Sequence, residues 1–100
     1  MLTSLFPMGR VLVSSSIQSL MTTDLSFHTF IYTSLMRHEG GDWGEISKED
    51  QDSNLQALTS DLRLFSVYHC STLHSYKGDR IYIVTEADRS ATTVLWPSDY

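Results

Sequence analysis

The apolar positions change character partway along the chain. Phe27, Phe30, Ile31, Ser34, Leu35 and His38 fall at i, i+3, i+4, i+7, i+8 and i+11, one face of an α-helix. Asp24 or Ser26 can cap its start. Arg37 and His38 place positive charge in its last turn, and Gly40 or Gly41 supplies the left-handed residue that stops it. Ahead of it, "GRVLV" (residues 9–13) reads as a short strand, and "SSSIQSLM" offers serine caps for a short helix ending near Thr22. Behind it, "SKED" is a capping-box variant with Ser47 as N-cap and Asp50 at N3. The helix it starts runs to about Thr59. Its inward stripe, Gln51, Asn54, Leu55 and Leu58, is only weakly apolar, which places the helix on the surface.

From Leu62 onward the texture is β. "LRLFSVYHC", "RIYIVTEA" and "TTVLW" are rich in branched and aromatic residues. "SYKGDR" and "ADRS" read as the turns between them. The order predicts an α+β domain: two or three helices packed on one face of a three- to four-stranded antiparallel sheet, with residues 9–13 as the fourth strand. The helix over 26–38 should pack Phe27, Phe30, Ile31 and Leu35 onto Phe65, Val67, Ile81, Ile83 and Val94, or onto their alternates along each strand.

Composition narrows the class. One hundred residues at 41% apolar content build one domain, residues 1–100, around one modest core. No apolar run approaches the ~18 residues of a membrane span, and "MLTSLFPMGRVLV" lacks the pattern of a secretory signal. Cys70 is the single cysteine, which excludes an internal disulfide and suits the cytoplasm. The net charge of −5 is local: Glu39, Asp42, Glu45, Glu49, Asp50 and Asp52 are opposed within their stretch only by Lys48. The acidity is a patch, and its sign disfavours direct nucleic-acid binding, which depends on cations meeting phosphates.

Two stretches concentrate special residues. "HEGGDWGE" (38–45) holds three of the five glycines. Capping needs one; glycines on both sides of Asp42-Trp43 imply a backbone path that few other residues follow. Trp43 there is either a hydrophobic plug or part of a binding surface. His38 is either a satisfied core histidine or a donor held charged, with a raised pKa, by Asp42 and Glu45. "TEADRS" (85–90) crowds Glu86, Asp88, Arg89 and Ser90 into a turn that is either solvated or, with Arg63, the rim of a site. If the two stretches meet at the sheet edge, His38, Glu86 and Arg89 become catalytic candidates. Asp42, Trp43, Glu45, Glu49, Asp50, Asp52, Arg63, Asp88 and Ser90 become binding candidates. Metal chemistry is not expected, because His69, Cys70 and His74 lack paired ligand spacing. No cofactor motif is present, and three carboxylates make the Gly-Gly loop a poor phosphate cradle.

At these residues the chain resembles a family of small prokaryotic proteins carried on plasmids and other mobile elements, some labelled restriction-related or plasmid-related. The carriers are "RHEGGDWGEISKEDQDSNLQAL", "RLFSVY" and "IYIVTEADRSATTVLWPSDY", with "FPMGRVLV" near the start. The resemblance covers roughly residues 35–100. It marks His38, Gly41, Asp42, Trp43, Gly44, Asn54, Arg63, Tyr68, Glu86, Asp88, Arg89 and Ser90, and it implies no established activity. The chain departs from the pattern in a longer hairpin, "HCSTLHSYKGDR", and in "TSDLRLF" where a Gly-Gly-Arg turn is typical.

Three functions compete. The first is a small acidic accessory protein that binds a host or partner protein, competing for a basic nucleic-acid channel as inhibitors of restriction or CRISPR nucleases do. The second is a small metal-independent ribonuclease using a His/Arg/Glu cluster; the shortage of Lys and Arg tells against it. The third is a homo-oligomeric structural module that uses an exposed sheet edge or Trp96.

Overall fold

The computed structural model describes residues 4–70 and 79–100. Its elements are β1 (Arg10–Val13), α1 (Ser15–Thr23), α2 (Leu25–Glu39), α3 (Lys48–Ala57), β2 (Leu64–His69), β3 (Arg80–Thr85), β4 (Ala91–Leu95) and a closing 3-10 turn, Pro97–Asp99. The predicted "SYKGDR" turn falls largely outside the described residues. Local chemistry sets the helix limits. Asp24 accepts the Phe27 N–H at the head of α2, and Ser47 accepts the Asp50 N–H at the head of α3. Gly40 is right-handed at the end of α2, and the left-handed residue is Gly41, φ 91°.

The strands form one sheet in the order β1-β4-β3-β2. β2, β3 and β4 make the expected antiparallel meander. β1 corrects the fully antiparallel prediction: it pairs parallel to β4, with Arg10 beside Ala91 and Val13 beside Val94. The reason is the route of the chain. β1 leads into α1 and α2, which cross the sheet before β2 begins, and such a crossover permits parallel pairing.

Register assigns the faces. Leu64, Ser66, Tyr68, Ile81, Ile83, Thr85, Thr92 and Val94 share the inner face, and all are buried. Phe27 and Ile31 of α2 and Ile17 of α1 pack there with Tyr68, Ile81, Ile83, Val94 and Trp96. The inner alternates of β2 are therefore not Phe65 and Val67, which lie on the opposite face. Phe30 and Leu35 flank the core half-buried. Trp96 is 2% exposed, its ring stacks on Phe27 at 5.9 Å and its Nε1–H donates to Ser16 Oγ at 2.9 Å, so it is not an oligomer contact. A second cluster, Phe6, Trp43, Ala57 and Leu64, fills the end of the sheet beside α3. Of the expected stripe of α3, Asn54 is buried and Leu58 half-buried, whereas Gln51 and Leu55 are exposed and Ala57 is buried in their stead. It docks through an amide and a small side chain, with Leu58 at its end packed against the second cluster.

Candidate functional site

The glycine loop works on the outer edge of the sheet. In an antiparallel pair alternate residues of β2 turn their backbone groups away from β3. For Val67 these groups meet the loop: Val67 N–H donates to Trp43 O at 3.2 Å, and Glu45 N–H donates to Val67 O at 2.8 Å. Gly44 forms a parallel bridge with Val67. Gly44 has φ 75°, and a Cβ there would collide with the Val67 carbonyl and the Tyr68 ring. For Phe65 the partner is Asn54 of α3. Its Nδ2–H₂ donates to Phe65 O at 2.7 Å, and its Oδ1 accepts Phe65 N–H at 3.1 Å. An edge strand with open N–H and C=O groups invites association; here one amide side chain and one glycine turn close it. Trp43 is the plug of the second cluster, 6% exposed, and its indole N–H has no partner among the described residues.

Asp42 does not hold His38. It forms a two-point ion pair with Arg37, Nε to Oδ2 at 2.8 Å and Nη2 to Oδ1 at 3.1 Å, and the Arg37 guanidinium holds the Asp42 carboxyl below its ordinary range. Arg37 lies 4.7 Å above the Tyr68 ring, and Tyr68 Oη–H donates to Asp42 O at 2.7 Å. Burial raises the pKa of that phenol. Glu45 pairs with His69.

His38 is fully buried. Its Nδ1 lies 2.5 Å from Ser66 Oγ and its Nε2 lies 2.8 Å from Thr85 Oγ1. Thr85 Oγ1 is 2.7 Å from Thr92 Oγ1, and Thr92 Oγ1–H donates to the Met8 carbonyl at 2.7 Å. A carbonyl only accepts, which fixes the direction of the chain as far back as His38 Nε2, and a neutral ring then accepts at Nδ1. Thr92 gives its proton to Met8, Thr85 gives to Thr92, His38 Nε2–H gives to Thr85, and Ser66 gives to Nδ1. Nε2 therefore carries a proton, and burial, which disfavours the charged ring, leaves Nδ1 as the acceptor of the Ser66 hydroxyl at neutral pH. The expected raised pKa is corrected: burial pushes it down from 6.5 to about 4, because no carboxylate faces the ring and the charged form would be desolvated. The Ser66–His38 contact has the atoms of a nucleophile–base pair, yet both residues are 0% exposed and no substrate reaches them.

Arg89 is also structural. It is the one non-glycine described residue with positive φ, 61°. Its guanidinium donates to four carbonyls: Ala57 O at 2.6 Å, Leu62 O at 2.7 Å, and Glu86 O and Ala87 O at 3.1 Å each. It thereby caps α3 and ties the α3–β2 connection to the β3–β4 turn. Asp88 Oδ1 accepts Ser90 N–H at 2.9 Å, and hydrogen bonds from Ser90 hold that carboxyl low. Glu86 is exposed and contributes backbone groups to the turn. The two special stretches therefore meet directly at the His38–Thr85 hydrogen bond, and beyond Thr85 they approach through Phe6. His38 meets the Phe6 ring edge-on at 5.3 Å, and Arg89 lies 5.9 Å from the same ring. Among the described residues no hydrogen bond or ion pair joins 38–45 to 86–90, and the expected His38–Glu86–Arg89 cluster is not formed.

The remaining binding candidates lie on the surface. Glu49, Asp50 and Asp52 are exposed on the first turns of α3, and Lys48 pairs with Asp52 at 2.8 Å. Arg63 stacks 5.3 Å from the Tyr100 ring and, with Asp50, Asn54 and Phe65, lines a cleft of about 370 Å³. Ser66, Thr85 and Thr92 were missed by sequence reasoning. Their signal was a polar residue at strand positions whose neighbours two along, Tyr68, Ile83 and Val94, are inward and large. Comparison with protein-family models, curated proteins and solved structures gives no match in any of the three.

Proposed function

We propose that the chain is a small acidic accessory protein that acts by binding a protein partner, without chemistry of its own. The observation that carries this reading is the employment of the reactive residues. His38 and Arg89 are held in the fold, whereas Glu49, Asp50 and Asp52 stand free of the core on a helix anchored by Asn54 and Ala57. The partner class that fits is a protein with a basic channel. The resemblance to proteins of mobile elements favours a defence nuclease of the host, acting from within the cytoplasm. The test is a cleavage assay of purified restriction nucleases from the host with the chain added. Inhibition that weakens as salt rises and disappears in the Glu49→Lys, Asp50→Lys, Asp52→Lys variant supports the reading; inhibition untouched by the reversal removes the acidic face from it. The ribonuclease alternative requires an accessible imidazole. RNA cleavage by the purified chain, abolished in His38→Gln at unchanged stability, would reinstate it.

A further inference from the structure

The two edges of the sheet are treated differently. The β2 edge is covered by Asn54 and the Trp43–Glu45 turn, while the β1 edge is not. Arg10 N–H bonds Ser90 O and Ser14 N–H bonds Val94 O. In a parallel ladder this turns Arg10, Leu12 and Ser14 toward β4 and points the N–H and C=O of Val11 and Val13 outward. These four groups have no partner among the described residues. Of the devices that discourage pairing the edge has only its four-residue length and the charge of Arg10 at its start; Val11, Leu12 and Val13 bring no proline, no charge and no bulge. Val11 is 45% and Leu12 40% exposed, and a groove of about 760 Å³ runs from Val11 and Val13 to Tyr32 and Met36 of α2, which are 57% and 52% exposed.

We propose that this edge is a dimer interface, in which β1 pairs antiparallel with β1 of a second copy about a two-fold axis through Leu12. The register follows from which groups are free. Val11 faces Val13 of the partner and Val13 faces Val11, giving four backbone hydrogen bonds; Leu12 faces Leu12 as the close, non-hydrogen-bonded pair. Arg10 falls opposite Ser14, so no like charges meet. A two-fold normal to the sheet keeps both helical layers on one side, so the groove of each copy adjoins the other across the axis. The size is adequate for a reversible dimer. Half-exposed Val11, Leu12, Tyr32 and Met36 offer roughly 300–400 Å² of apolar surface. This is about half of the ~800 Å² per partner in a standard interface, the size of a weak, reversible contact. Micromolar association is expected.

Sedimentation velocity from about 5 to 500 µM, spanning that range, should show conversion from monomer to dimer. Leu12→Lys and Leu12→Glu should each weaken the dimer at least about tenfold, because like charges then face each other across the axis. An equimolar mixture of the two should restore it. With Cys70 replaced by Ser, Leu12→Cys should oxidise to a disulfide dimer, and Val11→Cys should not, since its counterpart lies two residues further along. A wild-type chain that stays monomeric throughout, a dimer indifferent to the Leu12 charges, or equal cross-linking at 11 and 12 overturns the proposal. None of these measurements involves the partner of the acidic face, so their failure leaves that reading standing.

Discussion

A single imidazole, His38, joins α2 to β2, β3 and, through Thr85 and Thr92, to β4 and the Met8 carbonyl. Its protonation state is therefore a stability variable. The folded pKa is about 4 against 6.5 for the free side chain. Between those values the unfolded chain binds more protons, so stability is full above pH 6.5 and falls as pH drops toward 4. The shift corresponds to about 3 kcal/mol. Urea unfolding at pH 7 and pH 4.5 should show this loss in the wild type. His38→Gln should be less stable at pH 7 and should lack the His-linked part of the slope. Arg89 is the second residue on which the fold turns. Arg89→Ala leaves the Ala57, Leu62, Glu86 and Ala87 carbonyls without their cation and should cost about 2–3 kcal/mol. The loss should appear in urea midpoints and not as a selective loss of binding.

Elements were more legible than the contacts between them. α2 and its face were readable because the 3.6-residue period is local, and Phe27, Ile31, Ser34 and His38 are buried as that period requires. The caps of α2 and α3 were readable for the same reason, whereas Ser14 at the head of α1 makes no side-chain cap. What escaped is non-local. The parallel partner of β1 lies some eighty residues away, and no turn signal joins the two. The depressed His38 pKa depends on burial, completed by strands that lie far from His38 in the sequence. The glycines of "HEGGDWGE" did announce an unusual backbone, but its purpose became visible only with the β2 edge beside it. That purpose is testable. Asn54→Ala should expose the Phe65 N–H and C=O and cost about 2–3 kcal/mol. Asn54→Asp should cost more at neutral pH, because a carboxylate would face the Phe65 carbonyl with no donor, and it should recover part of the loss as acid protonates it. Urea unfolding of both variants at pH 7 and 4.5 checks the pair. In α2, Phe27→Ala should cost about 3–5 kcal/mol and Phe30→Ala clearly less, since only Phe27 is fully enclosed.

At the scale of the molecule, the acidic face of α3 is separated from the apolar surface. The acidic turns of α3 stand beside β2, one edge of the sheet, and the uncovered apolar groove lies along β1, the other edge. Within the acidic stretch Asp42 is neutralised by Arg37 and Asp52 by Lys48, Glu45 contacts His69, and Glu39 accepts from Ser4 beside the groove of α2, which leaves Glu49 and Asp50 as the α3 carboxylates with most to offer a basic partner. Reversing Glu49, Asp50 and Asp52 to lysine moves the net charge from −5 to +1. The fold should persist, because these side chains reach no core residue. The exposed Lys48–Asp52 pair contributes little, and the main cost is placing cations where the α3 dipole favours anions, about 1 kcal/mol. Thermal melting should therefore shift by only a few degrees. Partner binding should fall far more than stability does, and the remaining binding should lose its dependence on ionic strength. Glu49→Lys alone should produce a larger share of that loss than Asp52→Lys alone, because Asp52 already has a cation beside it. Equal effects from the two single reversals would mean that the partner senses the summed field of the face and not the unpaired carboxylates at its tip.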